Sequence, residues 1–233
     1  MAVPPNTSDA FQREVDEELR REELAAAWKR YGILLVSVVV IGLAAYGGWL
    51  FWQHRQLQLA GQQGEQFDQA YVDLEANRTK AAEQPLVELA TSRVAGYRAL
   101  ARFTQADLLL QKKNLKGAAT KFAEIAADTT IAQPFRDLAL IRQTSAEFDT
   151  LKPDVVINRL RPLAVKGNPW FGSAGELVAV AQLQKNRRDL AGTLFGQLAR
   201  DENVPATIRQ RAVQMAGVLG VDAVDQTEEK KTQ

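Results

Sequence analysis

The chain has 233 residues, and its 29 lysines and arginines nearly balance its 28 aspartates and glutamates, so the net charge is +1. That balance excludes the large basic or acidic field with which proteins attract nucleic acid or acidic polymers. The absence of cysteine and the presence of one histidine exclude disulfides, thiolate chemistry, cysteine-ligated zinc and multi-histidine metal sites.

Residues 1–30 form an arm rich in glutamate, arginine, leucine and alanine, which are good helix formers. We predict a helix from Phe11 to Trp28, capped by Ser8 or Asp9. Its apolar residues do not keep to one stripe, so its amphipathicity is weak. This pattern favours a solvated cytoplasmic helical arm at residues 1–30, and the alternative is a docking site for a cytoplasmic partner.

The next segment, residues 31–53, contains an apolar run long enough to cross a membrane. The run from Ile33 to Trp52 has one polar side chain, Ser37. A helix of about 20 residues reaches about 30 Å, the thickness of the hydrocarbon core of a bilayer. A buried core helix is normally shorter and less apolar, and a cleaved signal peptide needs a small-residue cleavage site after its apolar region. We therefore predict an uncleaved transmembrane signal anchor.

Charged and aromatic residues at the two ends of this run indicate its orientation. Aromatic residues typical of the membrane–water interface are Trp28, Tyr31, Trp49 and Trp52. The bases on the N-terminal side are Arg13, Arg20, Arg21, Lys29 and Arg30, whereas Arg55 stands alone on the C-terminal side. The positive-inside rule therefore predicts a cytoplasmic N-terminus. The rest of the chain then lies in the periplasm if the source is a Gram-negative bacterium.

Two small residues within the run, Ala44 and Gly48, are four positions apart and share one helix face. Small residues in this spacing let a second transmembrane helix approach closely. We therefore treat Ala44 and Gly48 as a candidate contact for another membrane helix.

Residues 54–220 show helical spacing and an internal repeat. One pattern, two apolar residues three positions apart followed by alanine, recurs at nearly equal intervals. Its copies are Leu86–Ala90, Phe122–Ala126, Leu160–Ala164 and Phe195–Ala199. A near-constant period of about 36 residues is typical of solenoids built from helix pairs. We predict A helices near 66–76, 97–112, 135–150, 171–184 and 206–219, and B helices near 80–91, 115–127, 154–166 and 188–200.

The second and fourth copies, two repeat periods apart, agree further. The matching positions are Ala106, Lys112, Ala118, Phe122, Ala126 and Asp128 in one copy and Ala179, Lys185, Ala191, Phe195, Ala199 and Asp201 in the other. Small residues let paired helices approach closely, and we expect Phe122 and Phe195 to be buried between neighbouring pairs.

Two features depart from the regular repeat. Pro162 falls inside a predicted B helix, where proline removes a hydrogen bond and clashes with the preceding turn, so we predict a kink or an early helix end. The segment 221–233 is polar, and we predict that it is disordered.

The period and the spacing of Ala106, Ala118 and Phe122 resemble tetratricopeptide repeats. The A-helix position that is usually aromatic is Leu109 in one unit and Gln182 in another, so the signature is degenerate. This resemblance implies an all-α fold, with one transmembrane helix followed by a tetratricopeptide-like α-solenoid of about four helix pairs plus a capping helix.

A second resemblance covers nearly the whole chain. The arm ending in Trp28-Lys29-Arg30-Tyr31-Gly32, the span ending in Gly-Trp-Leu-Phe-Trp and the degenerate repeats look like the YfgM family, the ancillary subunits of the SecYEG translocon. The C-terminal part is similar as well, with Asn168-Pro169-Trp170, Ala174-x-Glu176-Leu177, Asp189-x-Ala191, Phe195-x-x-Leu198, Pro205 and Ile208-Arg209-x-Arg211-Ala212. The resemblance implies a single-pass protein of the bacterial inner membrane with a periplasmic repeat domain. It also implies that the SecYEG translocon and a PpiD-type periplasmic chaperone are partners, in a network that assists newly exported proteins.

Three functions compete at this point. The first is a translocon-associated interaction module, and the second is a membrane-anchored scaffold for envelope assembly or cell division. The third, an enzyme, is disfavoured because the sequence has no phosphate loop, no metal cluster and no Ser–His–Asp set that His54, at the membrane boundary, would join. We therefore expect no catalytic residue, cofactor, metal or small-molecule substrate.

If the A helices line the concave face, as in tetratricopeptide-like solenoids, nine residues are predicted to face a partner-binding groove. They are Phe103, Asp107 and Leu110, then Ile141, Ser145 and Phe148, then Glu176, Val180 and Leu183. The set is mostly apolar with two carboxylates, which suits an extended or helical apolar segment of a partner. The alternative is that several of these side chains pack against neighbouring helices.

Overall fold

The computed structural model describes residues 7–223, with side chains described from residue 28 onwards. Within that range the chain is helical, which confirms the predicted all-α fold. The helices are α1 (Thr7–Glu75), α2 (Thr79–Leu89), α3 (Ala95–Gln111), α4 (Leu115–Ala127), α5 (Gln133–Ala146), α6 (Pro153–Leu160), α7 (Phe171–Gln184), α8 (Arg188–Arg200) and α9 (Ala206–Val218). The chain divides into two units, Met1–Gln62 and Gln63–Gln233.

In the first unit, α1 runs through the whole predicted membrane segment, 31–53. It is the one helix of the described residues that is long and apolar enough to cross a membrane, judged by length and composition. An arginine side chain lies over an aromatic ring towards each end of the segment. The Arg30 guanidinium lies 5.6 Å from the centre of the Tyr31 ring, and the Arg55 guanidinium lies 5.8 Å from that of Phe51. Such pairs suit the polar boundary of a bilayer, where both partners retain water.

The predicted arm is also helical, and α1 begins at Thr7, four residues before the predicted start at Phe11. Ser8 and Asp9, the predicted caps of this helix, lie inside α1 because the helix begins at Thr7, so that prediction is wrong. The arm therefore continues directly into the apolar segment as one helix.

The helices of the second unit alternate between two classes. We call the end of α1 from Gln63, together with α3, α5, α7 and α9, the A helices, and α2, α4, α6 and α8 the B helices. Four A–B pairs followed by α9 agree with the predicted solenoid and its capping helix. Neighbouring pairs share local apolar cores, as expected where each repeat contacts only the next one.

Three of the four A-to-B turns have the same backbone structure. Each contains a residue in the left-handed region, Asn77, Lys113 or Asn186, with φ of 58°, 57° and 57°. In each turn the N–H of this residue and that of the next residue donate to carbonyls in the last turn of the A helix. This hydrogen-bond pattern ends a helix with its last carbonyls satisfied, so it fixes where the B helix starts.

The burial of Phe122 and Phe195 confirms the predicted repeat register. Their side chains are 0 % and 1 % exposed. Phe122 lies in one core with Ala106, and Phe195 lies in another core with Ala179. Burial of one such ring stabilises the fold by about 1.5–3 kcal/mol, so equivalent residues hold equivalent helix pairs together.

Pro162 ends its helix early, as predicted. α6 stops at Leu160, well before the predicted end at residue 166. The chain then turns, and Leu163 still reaches the local core with 6 % exposure. Because the turn is short, Leu163 still packs in the core where the repeat pattern predicts an apolar residue, although the helix has ended.

The packed part of the chain ends later than predicted. Val221 and Ala223 contact the core formed by α7, α8 and α9, so the disorder predicted from residue 221 is wrong for these residues. A Cβ on Gly192 would lie 2.9 Å from Cγ2 of Val221, and one on Gly196 would lie 3.1 Å from its Cγ1. The two glycines of α8 therefore make room for Val221. The rest of the predicted tail lies outside the described residues.

Candidate functional site on the A helices

Neighbouring A helices contact one another along the second unit. α3 contacts α5, α5 contacts α7, and α7 contacts α9. We call the surface along which they lie side by side the A-helix face. All nine residues predicted to face a groove lie on A helices or at the C-terminal end of one.

The apolar members of the predicted groove contribute mainly to packing. Ile141 is only 5 % exposed. The Phe103 ring centre lies 5.8 Å from that of Phe122 and 6.5 Å from that of Phe135. Four further members are half-buried against the apolar cores, namely Leu110, Phe148, Val180 and Leu183. These six residues belong to three separate cores and form no single apolar groove.

The two carboxylates of the set hold neighbouring A helices together. Asp107 of α3 accepts a hydrogen bond from Arg142 of α5. Glu176 of α7 accepts two from Arg211 of α9, at 2.6 Å and 2.7 Å. The hydrogen bond to Glu176, followed by its negative charge, raises the pKa of Arg211 above its ordinary value. Both carboxylates therefore form ion pairs between neighbouring A helices. Ser145 is the one exposed member of the nine.

Sequence reasoning missed the arginine partners, although the spacing contains a signal for them. Arg142 and Arg211 each follow their carboxylate by 35 residues, close to one repeat period. The Arg142 guanidinium also lies 5.4 Å from the centre of the buried Phe122 ring. An acidic residue and an arginine one period apart on A helices therefore mark a candidate bridge between adjacent repeats, which forms only if the rotation of the two helices brings the side chains together.

An open cavity of about 330 Å³ lies between the end of α1 and α3. It is lined by Tyr71, Leu74, Glu75, Asn77, Thr79, Thr104, Asp107, Leu108 and Gln111. Asp107 is its one residue in common with the predicted groove, and Tyr71 is 50 % exposed beside it. The lining residues include hydroxyl, amide and carboxylate side chains as well as leucines, so the cavity offers hydrogen bonds and apolar contact to a bound polypeptide segment.

The candidate membrane contact lies in the first unit. Ala44 and Gly48 are exposed. No atom of the described residues outside the helix's own backbone and chain neighbours lies within 4 Å of a Cβ placed on Gly48. This face of α1 is therefore open, and contact with another membrane helix stays a prediction.

Comparison with known proteins gives one related protein across both units. The chain is 23 % identical over 205 residues to the "Ancillary SecYEG translocon subunit" of Aggregatibacter actinomycetemcomitans. The alignment covers 86 % of this chain and 96 % of that protein. No solved structure is significantly similar to the chain.

The family comparison agrees with the repeat structure. The family described as "Tetratricopeptide repeat-like domain" matches residues 26–215, which include the apolar segment of α1 and the helices from α2 to α8 with most of α9. The match extends over more than half of the sequence and ends inside the last helix. The chain therefore belongs to the tetratricopeptide repeat-like domain family.

Proposed function

We propose that this chain is a membrane-anchored protein-interaction module that associates with the Sec translocon and assists newly exported proteins. Its location is the bacterial inner membrane, crossed once by α1. In this proposal it acts without catalysis, within a periplasmic chaperone network that includes a PpiD-type chaperone. The proposal also makes the chain a member of the YfgM family.

The observation that carries this proposal is the extent of the similarity to the translocon subunit. It reaches over almost the full length of that protein, so it covers the apolar helix and the helix pairs together. Shared repeats alone would support only protein binding, because repeat folds serve many unrelated partners. Similarity that extends over the apolar helix as well as the repeats supports a shared role at a membrane.

The A-helix face is the surface that we assign to a partner segment. Because most apolar members of the predicted groove are packed, the open part of this face is the cavity beside Tyr71 and Asp107. We assign the exposed Ser145 of α5 to the same face. A segment bound here would combine hydrogen bonds with short apolar contacts.

Photo-crosslinking in living cells tests the function and the surface together. Benzoylphenylalanine replaces Tyr71 or Ser145 on the A-helix face, and Leu115 of α4 is the matched control because it is 51 % exposed. We expect adducts with Sec subunits or with a translocation-arrested exported protein from Tyr71 and Ser145, at several times the yield from Leu115.

The possible failures of this experiment are distinguishable. Equal or greater capture from Leu115 would reject the A-helix face while leaving the Sec association intact. Capture of envelope-assembly or cell-division proteins, without Sec subunits or exported chains, would reject the proposed function and favour the scaffold function.

The proposal places the second unit in the periplasm and the N-terminal arm in the cytoplasm. The bases before Ile33 and their scarcity after Trp52 support this orientation. External protease on spheroplasts is expected to digest the second unit and spare the arm. Digestion of that unit only after lysis would show the reverse orientation.

A further inference from the structure

A second cavity, of about 420 Å³, lies between the loop that precedes α7 and the loop that precedes α9. It is lined by Gly167, Asn168, Pro169, Phe171, Gly172, Asp201, Asn203 and Val204. It lies at the N-terminal end of α7, whereas the cavity beside Tyr71 lies near the C-terminal end of α3. The two cavities are therefore separate sites.

A buried carboxylate lines this second cavity. Asp201 is 5 % exposed. One of its oxygens, Oδ1, accepts hydrogen bonds from the backbone N–H of Asn203 at 3.0 Å and from the Asn203 side-chain amide at 3.1 Å. No lysine, arginine or histidine of the described residues forms an ion pair with it. A buried carboxylate of this kind is costly unless a positive group approaches it.

The equivalent carboxylate, two repeat periods earlier in the chain, has such groups. Asp128 accepts a hydrogen bond from Nη1 of Arg102 at 2.9 Å, and Nε of Arg98 lies 3.7 Å from the same oxygen. Its other oxygen accepts the backbone N–H and the hydroxyl of Thr130, which stands where Asn203 stands later. The two loops therefore share the same hydrogen bonds to their aspartate and differ in whether arginines lie beside it.

The later repeat has neither arginine at the equivalent positions. In the alignment that places Asp201 on Asp128, Phe171 stands where Arg98 stands and Gly175 stands where Arg102 stands. A Cβ on Gly175 would lie 3.0 Å from Cδ2 of Leu198, so any larger side chain at this position would press on the core. The space beside Asp201 remains open to solvent as the second cavity.

The helix ends around the cavity do not reverse its preference for a cation. The N-terminus of α7 contributes a partial positive charge of about half a unit, whereas the carboxylate carries a full negative charge. The earlier loop has the same arrangement at the N-terminus of α3 and still holds two guanidinium groups beside Asp128. The negative charge of the carboxylate therefore determines that the cavity favours a cation.

We propose that this cavity, centred on Asp201, binds an arginine side chain of another protein, in place of the internal arginines of the earlier repeat. A guanidinium group matches a carboxylate through paired hydrogen bonds and loses less hydration than an ammonium group. Asn168 and Asn203 also line the cavity and add polar side chains beside the carboxylate. The cavity volume is within the range of about 300–1,000 Å³ that ligand pockets have.

The test uses the full-length chain in detergent micelles and two dye-labelled peptides. One is an alanine–serine peptide with a central arginine, and the other has citrulline in its place, which keeps the shape and removes the charge. We expect the arginine peptide to bind at least about tenfold more tightly, because a hydrogen bond between charged groups is worth that factor. Fluorescence anisotropy measures both affinities.

Two variants locate the effect. Asp201→Asn is expected to remove the preference for arginine, and Asp128→Asn is the matched control that is expected to keep it. Equal affinities for the two peptides on the unmodified chain would overturn the assignment, and so would an equal loss in both variants. The peptide comparison needs no substitution, so it remains decisive if Asp201→Asn misfolds. The outcome is independent of Sec crosslinking from Tyr71 and Ser145, so each proposal fails separately.

Discussion

The pair α3–α4 and the pair α7–α8 have similar backbone features and differ in whether arginines lie beside the aspartate that follows the pair. Both have a left-handed residue in the A-to-B turn and a buried phenylalanine on the B helix. Both are also followed by an aspartate that accepts hydrogen bonds within its own loop. In the earlier pair two arginines approach that aspartate, and in the later pair a phenylalanine and a glycine occupy their places. The shared features fix the path of the chain, and the charge partner of the loop can change without altering that path.

The largest expected effect tests the shared part of this comparison. Phe122→Ala and Phe195→Ala each remove a buried ring and leave a cavity, which typically costs about 3–5 kcal/mol. Thermal melts of the full chain in detergent, followed by far-ultraviolet circular dichroism, are expected to shift downwards in both variants.

The exposed Leu190→Ala on α8 is the control, and it should leave the transition nearly unchanged. An unchanged melting transition for one phenylalanine variant would show that the two residues do not contribute equally to stability. The predicted repeat register would then be wrong at that residue.

The next effect tests the difference between the pairs. Asp128→Asn removes the charge that faces Arg102 and Arg98, whose side chains are largely buried, and hydrogen bonds between charged groups typically contribute about 1.5–3 kcal/mol. Asp201→Asn removes no ion pair and leaves an oxygen that still accepts from Asn203. We therefore expect Asp128→Asn to lower the stability clearly and Asp201→Asn to lower it much less.

Denaturant unfolding of both variants beside the unmodified chain measures this difference. Equal losses would mean that the arginines contribute nothing to the earlier loop, and the contrast between the two pairs would then rest on geometry alone.

A smaller effect concerns the turns. Lys113 and Asn186 share a φ of 57°, but asparagine adopts the left-handed region more readily than lysine does. Lys113→Asn is expected to stabilise the chain by about 0.5 kcal/mol, and Asn186→Lys to destabilise it by a similar amount. Because the two substitutions are reciprocal, the double exchange should leave the total stability almost unchanged, and a large net change would show that the two turns are not equivalent.

The fold followed from the sequence because its signals are local and repeated. The spacing of small and apolar residues around Phe122 and Phe195 predicts helices, pairs and register from contacts that lie within one or two turns of a helix. Pro162 predicts an early helix end for the same reason. The packing of Val221 was missed because it depends on Gly192 and Gly196, which lie on the preceding B helix and signal nothing by themselves.

The site was harder to predict than the fold. Helical periodicity indicates which side chains share a face, but it does not indicate whether a neighbouring helix covers that face. Periodicity therefore predicts Phe103 in a groove, although its ring packs beside Phe122. The bridges from Asp107 to Arg142 and from Glu176 to Arg211 depend on how adjacent A helices are rotated, which no single helix specifies.

The smallest expected effect is the pH dependence of the earlier loop. Hydrogen bonds from Thr130, together with the charge of Arg102, hold the pKa of Asp128 below the ordinary value of an aspartate. A carboxyl group with a lowered pKa in the folded state stabilises the fold above its unfolded pKa of about 3.9 and loses that contribution as the pH falls through its folded pKa. The stability difference between the unmodified chain and Asp128→Asn should therefore be constant near neutral pH and should shrink as the pH falls from about 5 towards 3. Unfolding measured at each pH checks this, with Asp201→Asn as the parallel variant. A difference that stays constant down to the lowest pH would show that Asp128 acts through its shape in the loop, and the arginines would then no longer distinguish the two pairs.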